Sequence, residues 1–438
     1  MFLMRRLVLG ASLLSALVVE SALGSAASSG VTACRMSSAV MAMPGYERSS
    51  WPAAAVPSAR PRAFYRLSRY DQRSEFSRYE RVLRRVDPMS GRRLSGVRLP
   101  GDVRGVVDAL TVGSRSVVLV TTRRGVEMIF AEESGRVVGR WHLCLDRRLF
   151  APYPAAPDVL QAQTAAGVMV ASHDGRFVLV AGRHPQGAAA IVNVRTGRRR
   201  IVRLRPGEEV LDASWSGGFI LAAPSPRGVS LRSVRFDGRR GTPTDVQDEK
   251  RSRRFNFVAA PQRNGPILVA YDSARGPVTL VRYDPRRGAA TVLGSPGYGE
   301  LTTLHTVDDR FLIGFGDRDW SVGSVRTGRF RDRPRPTPGT TPPRGAPHDD
   351  SRPERGDLAS TSGSLTNQSN ALAAPDLPLA VVFLLTQWGP GEYQSFAPLY
   401  YQLEVATVTI STAKVRHRTY LGGHLVAEQP AVVDPIIG

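Results

Sequence analysis

Lysine is almost absent from this chain. Of 438 residues only Lys250 and Lys414 are lysine, although Lys and Arg together number 59. Folding does not ask for that bias, because either cation serves on a wetted surface; the codon preference of a GC-rich genome accounts for it. That preference does not explain the excess of base over acid, 59 against 38, which draws the chain toward anionic surfaces and polymers. Cysteine is as scarce, with Cys34 and Cys144 the only two. Two cysteines exclude a disulfide-dense miniature scaffold and any cysteine-rich metal site. After residue 20 there is no long apolar run, so the mature chain carries no transmembrane helix; the best later run, 377–388, is too short to span a bilayer. No extended 3.6-residue apolar period occurs either, which argues against a helical bundle.

Chemical signatures are missing too. The histidines are seven, and no two sit at ligand spacing on a common element. There is no H-E-x-x-H, C-x-x-C, phosphate-binding loop or G-x-S-x-G elbow. The acidic pair Asp349-Asp350 lacks the Gly and distal Glu of a calcium loop. The sequence therefore nominates no catalytic residue, no metal ligand and no cofactor.

What is present begins with an export signal. Arg5 and Arg6 precede the apolar stretch 7–19, LVLGASLLSALVV, and the small residues ESALGSAASSG follow. Cleavage after Gly24 or Ala27 removes a signal peptide at 1–27. Residues 31–34, VTAC, resemble a lipobox, but residues 20–33 separate Cys34 from the apolar region that such a site normally abuts. Cys34 thus has three readings: lipid anchor, disulfide partner of Cys144, or free thiol. Residues 28–60 read as a linker.

The body of the chain repeats itself. Residues 172–182, SHDGRFVLVAG, are a polar turn feeding a β-branched run. The same arrangement recurs as SRSVVLVT, GFILAA, NGPILVAY and DDRFLIGF, beginning at residues 114, 218, 264 and 308. Each copy leads to a second hairpin whose turn is EESGR, RTGR, FDGRR or DPRRG, with Gly, Asp or Pro where the backbone needs it. Val118, Val178, Ile220, Leu268 and Leu312 mark one strand position per copy, at steps of ~40–60 residues. Four short strands at that period predict an all-β fold, a β-propeller. Partial units at 79–99 and 377–421 bring the expected count to seven blades, with six plus a stray N-terminal hairpin as the alternative.

Ser172-His173-Asp174-Gly175-Arg176 resembles the S-P-D-G-R turn of bacterial WD-repeat-like and TolB-like propellers, with His173 in place of Pro. The resemblance implies architecture over residues 61–328 and 377–438, and no particular activity. Between these parts, 329–376 is rich in Arg, Pro, Thr, Ser and Gly with almost no large apolar residue. Such a stretch buries too little surface to order itself and reads as a disordered basic insertion before the last blade.

Two acids stand out. Asp108 and Asp212 precede the repeated strand in two copies, at places where the other copies have Val170, Ala259 and Leu304. On innermost strands they would either present carboxylates at the channel mouth, as binding residues, or cap the strand starts. The function expected is an exported, non-catalytic scaffold that recognises a protein, an anionic cell-envelope component or a small ligand through loops on one face. The alternative is a propeller-fold hydrolase or lyase with a channel-mouth site. Nucleic acid is disfavoured as a partner by export and by arginines scattered over nearly every hairpin rather than interleaved with aromatics.

Overall fold

Short β-branched runs closed by glycine turns leave the chain one simple structure, the antiparallel meander. The computed structural model repeats it as an all-β propeller. The structure describes residues 63–71, 76–79, 81–150, 167–182, 187–334, 378–388, 400–425 and 431–436, apart from 88, 216, 248–254, 264, 274–276, 299–300 and 316–318 within those spans.

The first sheet holds β1 (Ala63–Asp71), β2 (Phe76–Tyr79), β3 (Val82–Val86) and β4 (Arg93–Arg98). Four-stranded meanders follow. The next is β5 (Val103–Val112), β6 (Arg115–Thr122), β7 (Gly125–Ala131) and β8 (Val137–His142). Then come β9 (Gly167–Ala171), β10 (Phe177–Gly182), β11 (Ala188–Asn193) and β12 (Arg199–Arg203). After these lie β13 (Glu209–Ser214), β14 (Gly218–Ser225), β15 (Gly228–Arg235) and β16 (Thr244–Gln247). The last two meanders are β17 (Phe255–Pro261), β18 (Ile267–Ser273), β19 (Thr279–Asp284) and β20 (Ala289–Gly294), then β21 (Leu301–Val307), β22 (Arg310–Phe315), β23 (Trp320–Ser324) and β24 (Phe330–Arg333). A three-stranded sheet closes the series with β25 (Leu379–Trp388), β26 (Tyr400–Thr409) and β27 (Val415–Leu425). The final strand, β28 (Ala431–Ile436), returns to the first sheet and pairs antiparallel with β1, from Phe64–Ile436 to Arg69–Ala431. Among the described residues, six sheets thus hold four or more strands and one holds three.

The repeated positions of the sequence fall where the period places them. Val118, Val178, Ile220, Leu268 and Leu312 lie on β6, β10, β14, β18 and β22, the second strand of each meander, and all are fully buried. Burying such a side chain is worth about 1.5–3 kcal/mol. The apolar clusters do not sit inside single sheets: each joins two sheets that follow one another, as Val117, Leu119 and Phe130 join Val178, Val180 and Val192. The core is a series of sheet-to-sheet contacts. Successive first strands, β5, β9, β13, β17 and β21, lie side by side.

Two boundaries differ from expectation. The stretch read as an insertion from residue 329 first supplies β24, which pairs with β23 from Gly323–Phe330 to Trp320–Arg333. Its arginine-rich composition concealed an exposed outer strand, which needs little apolar content. The C-terminal tail likewise contains β28. Residues 335–377, where the remaining insertion was expected, and the expected signal peptide and linker lie outside the described residues.

Candidate functional site

The hairpins joining the third and fourth strands share one design. Their glycines, Gly135, Gly197, Gly238, Gly288 and Gly328, have φ of 61° to 86°, where a side chain is strained. A polar side chain caps each turn from inside. Asn193 Oδ1 accepts from the Arg195 and Thr196 amides, both at 3.0 Å. Asp237 Oδ1 accepts from Arg239 N and Asp284 Oδ1 from Arg286 N, each at 2.9 Å. The second carboxylate oxygen of each turn acid faces neighbouring guanidinium groups, Arg235 and Arg239 beside Asp237 and Arg287 beside Asp284, at 3.7 to 4.0 Å, yet those arginines stay open to water. Arg239, Arg287 and Arg326 side chains are 81%, 84% and 82% exposed.

The tips are also aligned. Each tip glycine lies against the outermost strand, or the start of it, in the sheet before it. Gly135 faces the Gly96 carbonyl, Gly197 the Trp141 ring, Gly238 the Arg200 stem, Gly288 the Thr244 hydroxyl and Gly328 the Leu293 carbonyl. Arg200 donates to the Asp237 carbonyl, and Thr244 Oγ1 donates to Gly288 O at 2.8 Å. Stiff tips therefore follow one another along the rim of one face, basic in all but the turn at Glu132 and Glu133.

The quoted turn at 172–176 sits on the same face, nearer the axis. Ser172 Oγ donates to Asp174 Oδ1 at 2.6 Å and accepts from Phe177 N at 2.9 Å. His173, which replaces the Pro of the resemblance, reaches the next sheet. Its ring stacks on Trp215 with centroids 4.4 Å apart and planes 3° apart. Nε2 lies 2.7 Å from the Ala213 carbonyl, so that nitrogen carries the proton and donates it. Burial lowers the pKa to about 4, so the ring is neutral at neutral pH.

Asp108 and Asp212 occupy equivalent places, each at a register shift in its first strand. Neither is open to solvent: both are 1% exposed. Asp108 Oδ1 accepts from Ala109 N at 2.7 Å, and Oδ2 crosses to Met169 N of β9 at 2.6 Å. Asp212 Oδ1 accepts from Ala213 N at 2.6 Å, so Ala213 is held by Asp212 on one side and His173 on the other. Asp212 Oδ2 finds no donor among the described residues, and burial pushes its carboxyl well above the usual carboxylate range. Both acids hold strand backbone rather than line a binding surface. Asp108 ties β5 to β9, and Asp212 holds the next amide of its own strand, where sequence alone left a channel-mouth role open.

Comparison with solved structures finds distant likenesses. The structure is similar to TolB from Acinetobacter baumannii at 13% identity, covering 62% of this chain and 63% of that one, with a TM-score of 0.33. It is similar to a prolyl endopeptidase at 12% identity over 77% of this chain and 51% of that one, TM-score 0.39. It is also similar to the Dos1 propeller at 13% identity over 59% and 65%, TM-score 0.38. The chain covers less than two thirds of each of these three. At such values the likenesses carry no activity across, and the propeller architecture rests on the sheets of this chain itself. No protein-family model and no curated protein matches the chain.

Sequence reasoning missed the polar groups that join strands. Glu208, with its side chain 1% exposed, faces two cations: Arg232 Nε at 3.3 Å and Arg240 Nη1 at 3.1 Å. It also accepts from Arg205 N at 2.9 Å. Arg140 forks onto Asp102 with Nη1–Oδ1 at 2.9 Å and turns its Nε to Glu127. That bond to Arg140 holds the Asp102 carboxyl below its ordinary pKa. Nothing in the spacing of these residues sets them apart from the other charges of the chain. Cys144 is disulfide-bonded, and its expected partner Cys34 lies outside the described residues.

Proposed function

We propose that the chain is an exported, non-catalytic binding scaffold that recognises a protein, a cell-envelope polymer or a small ligand through the loops of one propeller face. The observation that carries this reading is the row of hairpin tips, each capped from within and each leaving arginine exposed. Rigid turns on a packed support cost little entropy on binding. The export reading rests on residues 5–27 of the sequence, and a Cys34–Cys144 bridge agrees with an oxidising compartment. Such a bridge and lipidation of Cys34 are mutually exclusive, since both consume the same sulfur.

We read the ring as seven blades, with the three-stranded sheet as the last and β28 completing the first. In support, the tip of the first sheet, Gly91, lies against His417 and Thr419 of β27, as later tips lie against the sheets before them. The rival reading, a hydrolase or lyase, has Asp108 and Asp212 as its acids, and the closure of both to solvent counts against it.

The test uses the chain without residues 1–27, mixed with the cell-envelope fraction at low and high salt. Retention that weakens as salt rises is expected, because exposed charges are screened. No retention at either salt overturns the reading.

A further inference from the structure

The hairpin tips differ in one respect that turn chemistry does not explain. Two of them carry the same pentapeptide: Val194 to Arg198 and Val325 to Arg329 both read VRTGR. The two turns are built alike. Thr196 Oγ1 accepts from Arg198 N and Thr327 Oγ1 from Arg329 N, at 3.2 and 3.3 Å. The valine amides donate to Arg176 O and Asp309 O, both at 2.8 Å. These bonds account for the threonine and the positive φ for the glycine; of the exposed arginine side chains only Arg326 faces a turn acid, Asp309 at 3.9 Å.

Arg195, Arg198, Arg286 and Arg329 are exposed and make no ion pair among the described residues. They stand on three hairpins, and the intervening hairpin adds exposed Arg235 and Arg239. Contacts between successive sheets link the four tips into one run. The run is bounded on one side by the tip of β7 and β8, where Glu132 and Glu133 reverse the sign. The result is a basic arc along the rim of one face. A planar surface pressed to that face would meet its acidic sector too, whereas a flexible chain can follow the arc alone.

We propose that this arc is the binding site for a linear polyanion, a polymer with phosphate or carboxylate groups along its length, lying across successive tips. The planar guanidinium fork suits both groups. The proposal rests on the scaffold reading above and names the class of ligand for it.

Long-chain polyphosphate serves as the probe, with tripolyphosphate as the short control and anionic phosphatidylglycerol vesicles as the planar control. Long-chain polyphosphate is expected to bind at least about tenfold more tightly than tripolyphosphate, and log affinity to fall with log salt by about 0.7 for each phosphate engaged. Arg195→Glu with Arg198→Glu, and separately Arg326→Glu with Arg329→Glu, are each expected to cost about tenfold or more. Arg123→Glu with Arg124→Glu, exposed changes of equal charge in the turn between β6 and β7 on the opposite face, should leave binding within about twofold. An equal loss in all three variants overturns the proposal, since total charge would then govern binding. Binding to vesicles without binding to polyphosphate overturns it in favour of a membrane surface. Envelope retention unchanged by the tip variants also sinks the arc yet leaves the scaffold reading standing; that reading fails only if the unaltered chain is not retained.

Discussion

Arg85 Nη2 donates to the backbone carbonyl of Glu133 at 2.8 Å, from the first sheet into the hairpin of the next. The same guanidinium reaches Glu132 O at 3.2 Å, Ser116 Oγ at 2.9 Å and Ser95 O. Arg85 is 1% exposed. Its cation is held mainly by carbonyl and hydroxyl dipoles that no smaller side chain can reach together. Arg85→Met removes those bonds and leaves several acceptors dry. A loss of about 2–4 kcal/mol is expected in urea unfolding. A loss below about 0.5 kcal/mol would mean that water replaces the guanidinium and that the clamp is dispensable.

Glu208 holds two arginines in a site nearly closed to water. Glu208→Gln keeps the volume but strands Arg232 as a buried cation, at an expected cost of about 3 kcal/mol. Combining Glu208→Leu with Arg232→Met removes both charges and should recover most of that loss. The double variant no more stable than Glu208→Gln would show that packing, not charge, makes the site costly to alter.

Stability should fall with pH on both an acid and an alkaline limb. Burial lowers His173 and His305 to about 4 from an ordinary 6.5. Between those values the unfolded chain binds their protons and the fold does not, so stability falls as pH drops through the window. Asp212 acts with the opposite sign. Its raised pKa keeps a proton in the fold that the unfolded chain has released, so stability also falls as pH rises, until the buried carboxyl ionises. Two histidines outweigh one acid below the maximum, and the acid acts alone above it. From these groups the limbs should each approach about 1.4 kcal/mol per pH unit. Thermal melts across pH check this. Asp212→Asn should flatten the alkaline limb and His173→Phe the acid limb. Melts unchanged in shape by both variants would refute the assignment.

Much of this fold was legible because propeller strands announce themselves locally. The second strand of each meander is mostly buried and reads as an apolar run, and the tip glycines mark the hairpins by their backbone demands. β24 and β28 were hidden for different reasons. β24 is an outer strand with charged side chains, and β28 has no signal of its own, since its place depends on a strand far earlier in the chain. For the site, sequence singled out Asp108 and Asp212 from their repeated position but could not tell a carboxylate facing a channel from one holding strand backbone. That depends on where Met169 N and Ala213 N lie. The arginine tips were visible as scattered charge; their alignment emerged only from contacts between sheets.

The cysteine pair offers a covalent test. Mass spectrometry of the chain under non-reducing conditions should join the peptides containing Cys34 and Cys144. A bridge across a loop of roughly 100 residues contributes up to about 4–5 kcal/mol on the chain-entropy account. Reduction, or Cys144→Ser, should therefore lower the melting temperature. A lipid-modified Cys34 peptide would instead exclude the bridge.

The pairing of β28 with β1 has a consequence for how the molecule comes into being. Almost the whole chain must emerge before the first sheet receives its last partner, and closing so long a loop is entropically slow. A chain that has not yet reached residue 431 can form meanders but cannot lock them. The closing strand thus reports that the strands before it have all been made. A version ending at residue 430 should be cut by protease far faster than the whole chain, although it lacks only the last eight residues. A stalled or clipped product would then be recognised by its openness and cleared.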